Sequence, residues 1–275
     1  MNSVHELLRF STKYLQEREV PRSRRTAEEL LATLLCINTL DLCFLDGVVE
    51  DEVVKQYFNW IQRRGRREPT AYIVGQVEFL DCKISVCPGV FIPRQETEIL
   101  STLALREIPD QASVVWDLCT GSGCLGLSVK KKRPGLSVTL SDFSKKAVTL
   151  SRCNAITNAL DVEVVYGDLL QPFFEERADV ILCNPPYVTE EEYACVEDEV
   201  GLYEPKDALI GGVSYFVRLA EELPEHLNSG AKIFFEIGAS QMEDVDQIFH
   251  KKWWKHKRFH KDWAGYNRFF FLEFQ

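Results

Sequence analysis

Apolar positions along the chain fall into three successive patterns. In the first 70 residues they recur three and four apart. Thr26-Ala-Glu-Glu29 leads into Leu30, Leu31, Leu34 and Leu35, and reads as a capping-box helix start. Val53, Val54, Tyr57, Phe58 and Ile61 repeat at the same spacing, so this region is predicted to form a small helical bundle. Between 77 and 92 the pattern changes to two short apolar runs around Asp81-Cys82, closed by Pro88-Gly89. That predicts a β-hairpin joining two domains. From residue 113, short apolar runs at 114–116, 138–140, 162–166, 180–182 and 233–235 alternate with helical stretches. Such alternation is the mark of an α/β fold with a doubly wound parallel sheet. The final run, 268–274, is reached from 257–260 without room for a helix, which predicts an antiparallel hairpin at the sheet edge. The resulting division is a helical domain over 1–75, a hairpin linker over 76–93 and an α/β domain over 94–275.

Composition narrows the classes. The chain has 275 residues, 45% of them hydrophobic, which excludes a disordered or fibrous protein and suits two domains. With 32 Lys and Arg against 42 Asp and Glu, the net charge of −10 argues against a chain whose main task is to coat nucleic acid. The imbalance is local. Residues 1–75 hold 11 basic and 11 acidic side chains, whereas 161–207 hold 14 acidic ones against Arg177 and Lys206. This stretch is expected to be either a solvated acidic face or a cleft for a basic partner. Arg63, Arg64, Arg66 and Arg67 read as a solvated helix end, with an RNA-facing patch as the alternative. Nine scattered cysteines without a C-x-x-C pair or a histidine cluster predict reduced thiols and no metal site. His5, Glu6 and Arg9 interrupt any secretory leader, and no apolar run approaches a membrane span, so a soluble cytoplasmic protein is expected.

Two motifs carry chemistry. The run Asp117-Leu-Cys-Thr-Gly121-Ser-Gly123-Cys-Leu-Gly126 follows the first strand of the α/β region and opens a helix, offering a tight turn and free backbone N–H groups to a ligand. Read literally it is G-x-G-x-x-G, and Asp142 at the end of the next strand is placed to hold a ribose diol. These features serve any adenosine-bearing cofactor and do not name one. Gly167-Asp168 closes the third strand, and Leu169 is placed to pack an adenine ring. The discriminating motif is Asn184-Pro185-Pro186-Tyr187, directly after the fourth strand. Two prolines hold a stiff, extended backbone with free carbonyls. The Asn184 oxygen and the Pro185 carbonyl can therefore accept both hydrogens of a planar NH₂ group, with Tyr187 as an aromatic wall. An amide or exocyclic amine is the expected substrate group.

Taken together, Phe91-Ile-Pro-Arg94-Gln-Glu-Thr-Glu98, the 117–123 loop, the 184–187 tetrapeptide, Glu204-Pro-Lys-Asp-Ala-Leu209 and Asp262-x-x-Gly265-x-x-Arg268 occur in an order that resembles the HemK/PrmC family. Pro69-x-x-Tyr72-Ile-x-Gly75 also fits. The resemblance implies a Rossmann-like class I methyltransferase sheet behind an N-terminal recognition domain. It implies methylation, from S-adenosylmethionine, of the glutamine amide in the GGQ motif of class 1 peptide-chain release factors. It further implies that Cys119, Thr120, Gly121, Ser122 and Gly123 line the methionine part of the cofactor. Asp142 would hold the ribose, Asp168 and Leu169 would lie near the adenine, and Asn184 would touch the cofactor as well as the substrate. Asn184, Pro185, Pro186 and Tyr187 would grip the glutamine, with Phe91 in the mouth of the site. A monomer without direct nucleic-acid contact is expected. Two positions depart from the family pattern: Cys119 replaces a glycine and Gln95 a proline. The competing readings are a ribosomal-protein glutamine methyltransferase, a DNA adenine-amino methyltransferase and a dinucleotide-dependent oxidoreductase. The last leaves residues 184–187 idle, and the acidic surroundings of Asn184 would repel DNA phosphates.

Overall fold

Amphipathic spacing in the first quarter of the chain produces α1 (Val4–Gln16), α2 (Ser23–Leu35), α3 (Asp51–Arg64) and the short α4 (Thr70–Val74) in the computed structural model, which describes residues 3–45 and 47–275. Met1, Asn2 and Asp46, within the predicted helical domain, lie outside the described residues. Val4, Leu7, Leu15, Leu30, Leu31, Tyr57 and Ile61 are buried against one another. The Tyr57 hydroxyl donates to the Ala27 carbonyl at 3.1 Å and so joins α3 to α2. The expected capping box at Thr26 does not form. Helix α2 begins one turn earlier, at Ser23, where i,i+4 pairs from Arg24 to Glu28 and Arg25 to Glu29 support its first turns. Thr26 is consequently an interior helical residue, buried in the bundle.

The arginine run is not a solvated helix end. Arg63 pairs with Glu68, while Arg64 is buried and pairs with Glu199. Arg67 reaches Asp198 at 3.5 Å and the Glu19 carbonyl at 2.6 Å. The segment Glu197–Tyr203 accordingly forms one compact unit with Met1–Gly75, and the second unit comprises Gln76–Val196 and Glu204–Gln275.

The second unit opens with the antiparallel hairpin β1 (Gln76–Phe79) and β2 (Cys82–Ser85), in register Val77 to Ile84. After α5 (Gln95–Glu107), the main sheet is built from β3 (Val114–Leu118), β4 (Ser137–Asp142), β5 (Glu163–Tyr166), β6 (Ala178–Cys183), β7 (Leu227–Glu236), β8 (Trp254–Lys261) and β9 (Asn267–Phe274). Its order is β5-β4-β3-β6-β7-β9-β8, with β9 antiparallel to both neighbours and the other pairings parallel. The connecting helices are α6 (Cys124–Lys132), α7 (Lys145–Thr157), α8 (Glu190–Tyr193), α10 (Ser214–Glu222) and α11 (Met242–Ile248), while α9 (Asp198–Tyr203) belongs to the first unit. The predicted edge hairpin is thus β8–β9.

Buried Phe234, Phe235, Phe269, Phe270 and Phe271 fix the β7–β9 pairing, with Phe234 and Phe271 edge-to-face at 4.7 Å. Each such ring contributes about 1.5–3 kcal/mol through burial. The chain runs from β3 outward to β4 and β5, then returns to place β6 on the other side of β3. This reversal opens a crevice at the carboxyl ends of β3 and β6, where ligands bind in open α/β sheets.

Candidate active site

The loop after β3 is held from behind by Asp117. Its Oδ2 accepts from the Thr120 hydroxyl at 2.5 Å and from the Gly126 N–H at 2.8 Å. Burial pushes the Asp117 carboxyl up to about 7, against the pull of these two donors. The backbone then turns through left-handed φ at Cys119 (55°), Gly121 (57°) and Gly123 (86°). Cys119 bears a Cβ in this left-handed region, at a strain of about 1 kcal/mol, and the loop keeps its turn. Gly126 is required for another reason: a Cβ there would strike Leu140 and Asp117.

Gly121 N–H donates to Asp142 Oδ2 at 2.8 Å, and Ser144 N–H to Oδ1 at 2.8 Å. Burial raises the Asp142 carboxyl and these two N–H groups oppose it. The donor set fits a nucleoside-bearing cofactor. A carboxylate bonded once at each oxygen keeps lone pairs for a vicinal diol, Gly121 faces open space on its Cβ side, and the Ser122 hydroxyl is buried without a protein partner.

Across the crevice, residues 184–187 leave β6. Asn184 Nδ2 donates to Thr97 Oγ1 at 3.1 Å, and Thr97 donates to Glu236 Oε2 at 2.8 Å. The Tyr187 hydroxyl donates to Glu236 Oε1 at 2.9 Å and accepts from Arg268 at 2.9 Å. Gln241 donates to the Tyr187 carbonyl at 2.7 Å, and Gly211 sits so close to the Pro186 carbonyl that a Cβ would overlap it. Burial raises the Glu236 carboxyl, with Thr97, Arg268 and Tyr187 pulling the other way. The Tyr187 phenol is likewise pushed up, by burial and then by Glu236. Strands β3, β4 and β6 therefore bring the loop, Asp142 and the tetrapeptide to one end of the sheet.

Two expected residues have other partners as well. Asp168 accepts a two-point contact from Arg218, at 2.9 and 3.2 Å, while the adjoining Leu169 is buried. Phe91 lies under the Arg94 guanidinium, 4.9 Å from its ring. Arg94 also pairs with buried Glu204, which accepts from the Ile92 N–H at 3.1 Å. Gln95 opens α5, a position where proline is favoured but where any residue free of clash serves. Sequence reasoning gave no role to Glu236, Gln241 or Asn154, nor to Thr97, although Thr97 lies in the 91–98 run. Asn154 donates to the Ser122 carbonyl at 2.8 Å and so fastens the loop to α7.

Two family models match the chain. Residues 6–75 match the PrmC N-terminal domain, and residues 81–200 match the methyltransferase small domain. The chain is 42% identical to the release factor glutamine methyltransferase of Chlamydia trachomatis serovar L2, over 99% of this chain and 94% of that protein. The chain belongs to the release factor glutamine methyltransferase family. Other members include those of Aquifex aeolicus, 32% identical over 98% of this chain and 97% of that one, and Geobacter sulfurreducens, 32% identical over 90% and 88%. Among solved structures, the 16S rRNA N2 G1207 methyltransferase of T. thermophilus superposes with a TM-score of 0.54 at 18% identity, covering 73% of this chain and 50% of that one. A methyltransferase from Pyrococcus furiosus gives 0.52 at 19% identity, covering 71% and 89%. These likenesses establish the methyltransferase fold of this family member.

Proposed function

We propose that this chain transfers the methyl group of S-adenosylmethionine to the side-chain amide nitrogen of the GGQ glutamine in class 1 peptide-chain release factors. The observation that carries the reading is the placement of residues 184–187 at the end of β6, beside the loop and Asp142 on the neighbouring strands β3 and β4. Family membership supplies the substrate class. In this reading residues 119–123, Asp142 and Leu169 hold the cofactor, with Asp168 at the adenine end. When bound, the cofactor supplies an electrophilic methyl group on a sulfonium.

The protein's own work is orientation. An amide nitrogen is a poor nucleophile because its lone pair is delocalised, so it must be aimed in line and its developing charge favoured. Asn184 Oδ1 and the Pro185 carbonyl accept from the two amide hydrogens and do both. The proton becomes acidic only as the methyl arrives, so these acceptors suffice without a dedicated base. Tyr187 and Phe91 wall the glutamine. The enzyme is proposed to act in the cytoplasm as a monomer, without direct contact to nucleic acid. Supporting this, the net charge is −10, and no helix among the described residues is long and apolar enough to cross a membrane.

The test is transfer of labelled methyl from S-adenosylmethionine to the release factor of the same organism, with the label located by peptide mass spectrometry. Label on the GGQ glutamine is expected. Asn184→Ala is expected to abolish transfer while calorimetry shows cofactor still bound. Label confined to a ribosomal protein would overturn the reading.

A further inference from the structure

The geometry points to Thr97 and Glu236 as positioning residues that set specificity: they fix which end of the Asn184 amide faces the substrate, and so make the site select an amide over the isosteric carboxylate. This rests on the function proposed above. It begins from the direction of two hydrogen bonds. As a carboxylate, Glu236 Oε2 can only accept, so the single Thr97 proton points to it across 2.8 Å. Thr97 Oγ1 then offers only lone pairs toward Asn184, and the group 3.1 Å away must be the amine, Nδ2. A half-turn of the Asn184 amide would set Oδ1 against those lone pairs. The oxygen is therefore held as an acceptor for something else.

The rest of the cluster keeps this polarity from reversing. Glu236 Oε1 accepts from Tyr187 at 2.9 Å and lies 3.9 Å from the Arg268 guanidinium, which favours the carboxylate. Thr97 is 3% exposed and Glu236 fully buried, so solvent does not compete for the hydroxyl or the carboxylate. A glutamine NH₂ meets fixed acceptors at this site. A glutamate in its place sets lone pairs against lone pairs, unless Asn184 can flip its NH₂ round to greet it. Thr97 forbids the flip. Sites that match a buried polar group discriminate by about 10⁴-fold against a mismatched analogue, and an amide free to rotate forfeits much of that ratio.

The experiment compares Thr97→Val, Thr97→Ser and Glu236→Gln with the wild type. It measures kcat on the release factor, and the binding ratio of the release factor to its variant carrying glutamate at the target position. Thr97→Val keeps the shape and removes the hydroxyl. It is expected to lower kcat by about 30-fold and to shrink the glutamine-over-glutamate ratio by about 10-fold or more, with cofactor affinity unchanged. Thr97→Ser, which keeps the hydroxyl, is expected to recover most of both. Glu236→Gln can donate to Thr97 and invert the chain of protons, so it is expected to lose the same ratio, and it serves as the second variant should Thr97→Val fold poorly. Label transferred equally by wild type and Thr97→Val, with the binding ratio intact, overturns this assignment alone. A wild-type chain that leaves the release factor unlabelled overturns the proposed function, and this assignment falls with it.

Discussion

Asp117 illustrates how a single buried carboxyl sets the behaviour of the loop it supports. Its pKa rises from 3.8 to about 7 because burial disfavours the charge. The linkage sign follows from this direction. The folded state binds the proton more tightly than the unfolded chain, so stability from this group is fully present below about pH 4. It is lost as pH rises toward 7 and stays lost above. The swing is on the order of 4 kcal/mol. Asp117→Asn keeps an acceptor for Thr120 and Gly126 without a charge. Chemical denaturation from pH 4 to 8 is expected to show a smaller decline in stability for this variant than for the wild type. An identical decline in both would mean that Asp117 does not titrate in this interval.

Among the elements, the hairpin and α7 form one piece with the loop after β3. The Asn154 side chain accepts from the Ser85 N–H at 2.8 Å and donates to the Ser85 carbonyl at 3.1 Å and to the Ser122 carbonyl. Asn158 adds a second bracket around Lys83. Asn154→Ala strands three backbone groups and is expected to cost about 3 kcal/mol, read as a lower thermal midpoint together with weaker cofactor binding. A lower midpoint with unchanged cofactor affinity would separate the bracket from the loop. This residue also marks the limit of what a sequence displays. The strand–helix alternation and the loop, Asp142 and tetrapeptide motifs were legible because each depends on neighbours within a few residues. The capping box at Thr26 misled because i,i+4 pairs and bundle packing extended α2 by a turn. Thr97 and Glu236 could not be found by spacing, since they are 139 residues apart. Asn184 and Thr97 are separated by 87. Only the assembled fold, with α5 against the sheet, makes them neighbours.

Across the whole molecule, the acidic stretch of 161–207 divides into two populations. Asp168, Glu199 and Glu204 are tied to Arg218, Arg64 and Arg94, and Asp179 takes N–H groups from Ser113 and Val114. These are internal fastenings. Glu190 and Glu191 are exposed on α8, three and four residues beyond Tyr187. Close to the tetrapeptide in sequence, they are placed to steer a basic partner toward the site. Replacing both with glutamine is expected to slow release-factor association several-fold at low salt and to flatten its salt dependence, as measured by stopped flow, with cofactor binding unaffected. A salt-independent on-rate in the wild type would make α8 a solvated face only.

The position of Arg268 on β9 has a temporal consequence. Residues 117–169 supply the loop after β3, Asp142 at the end of β4 and Leu169 just beyond β5. Arg268, which steadies Tyr187 and Glu236, arrives only with β9. On a ribosome making this protein, Thr97 and the 184–187 tetrapeptide emerge well before Glu236 and Arg268, the two residues that tie them together. The polar cluster behind the tetrapeptide is complete only once β9 has been made.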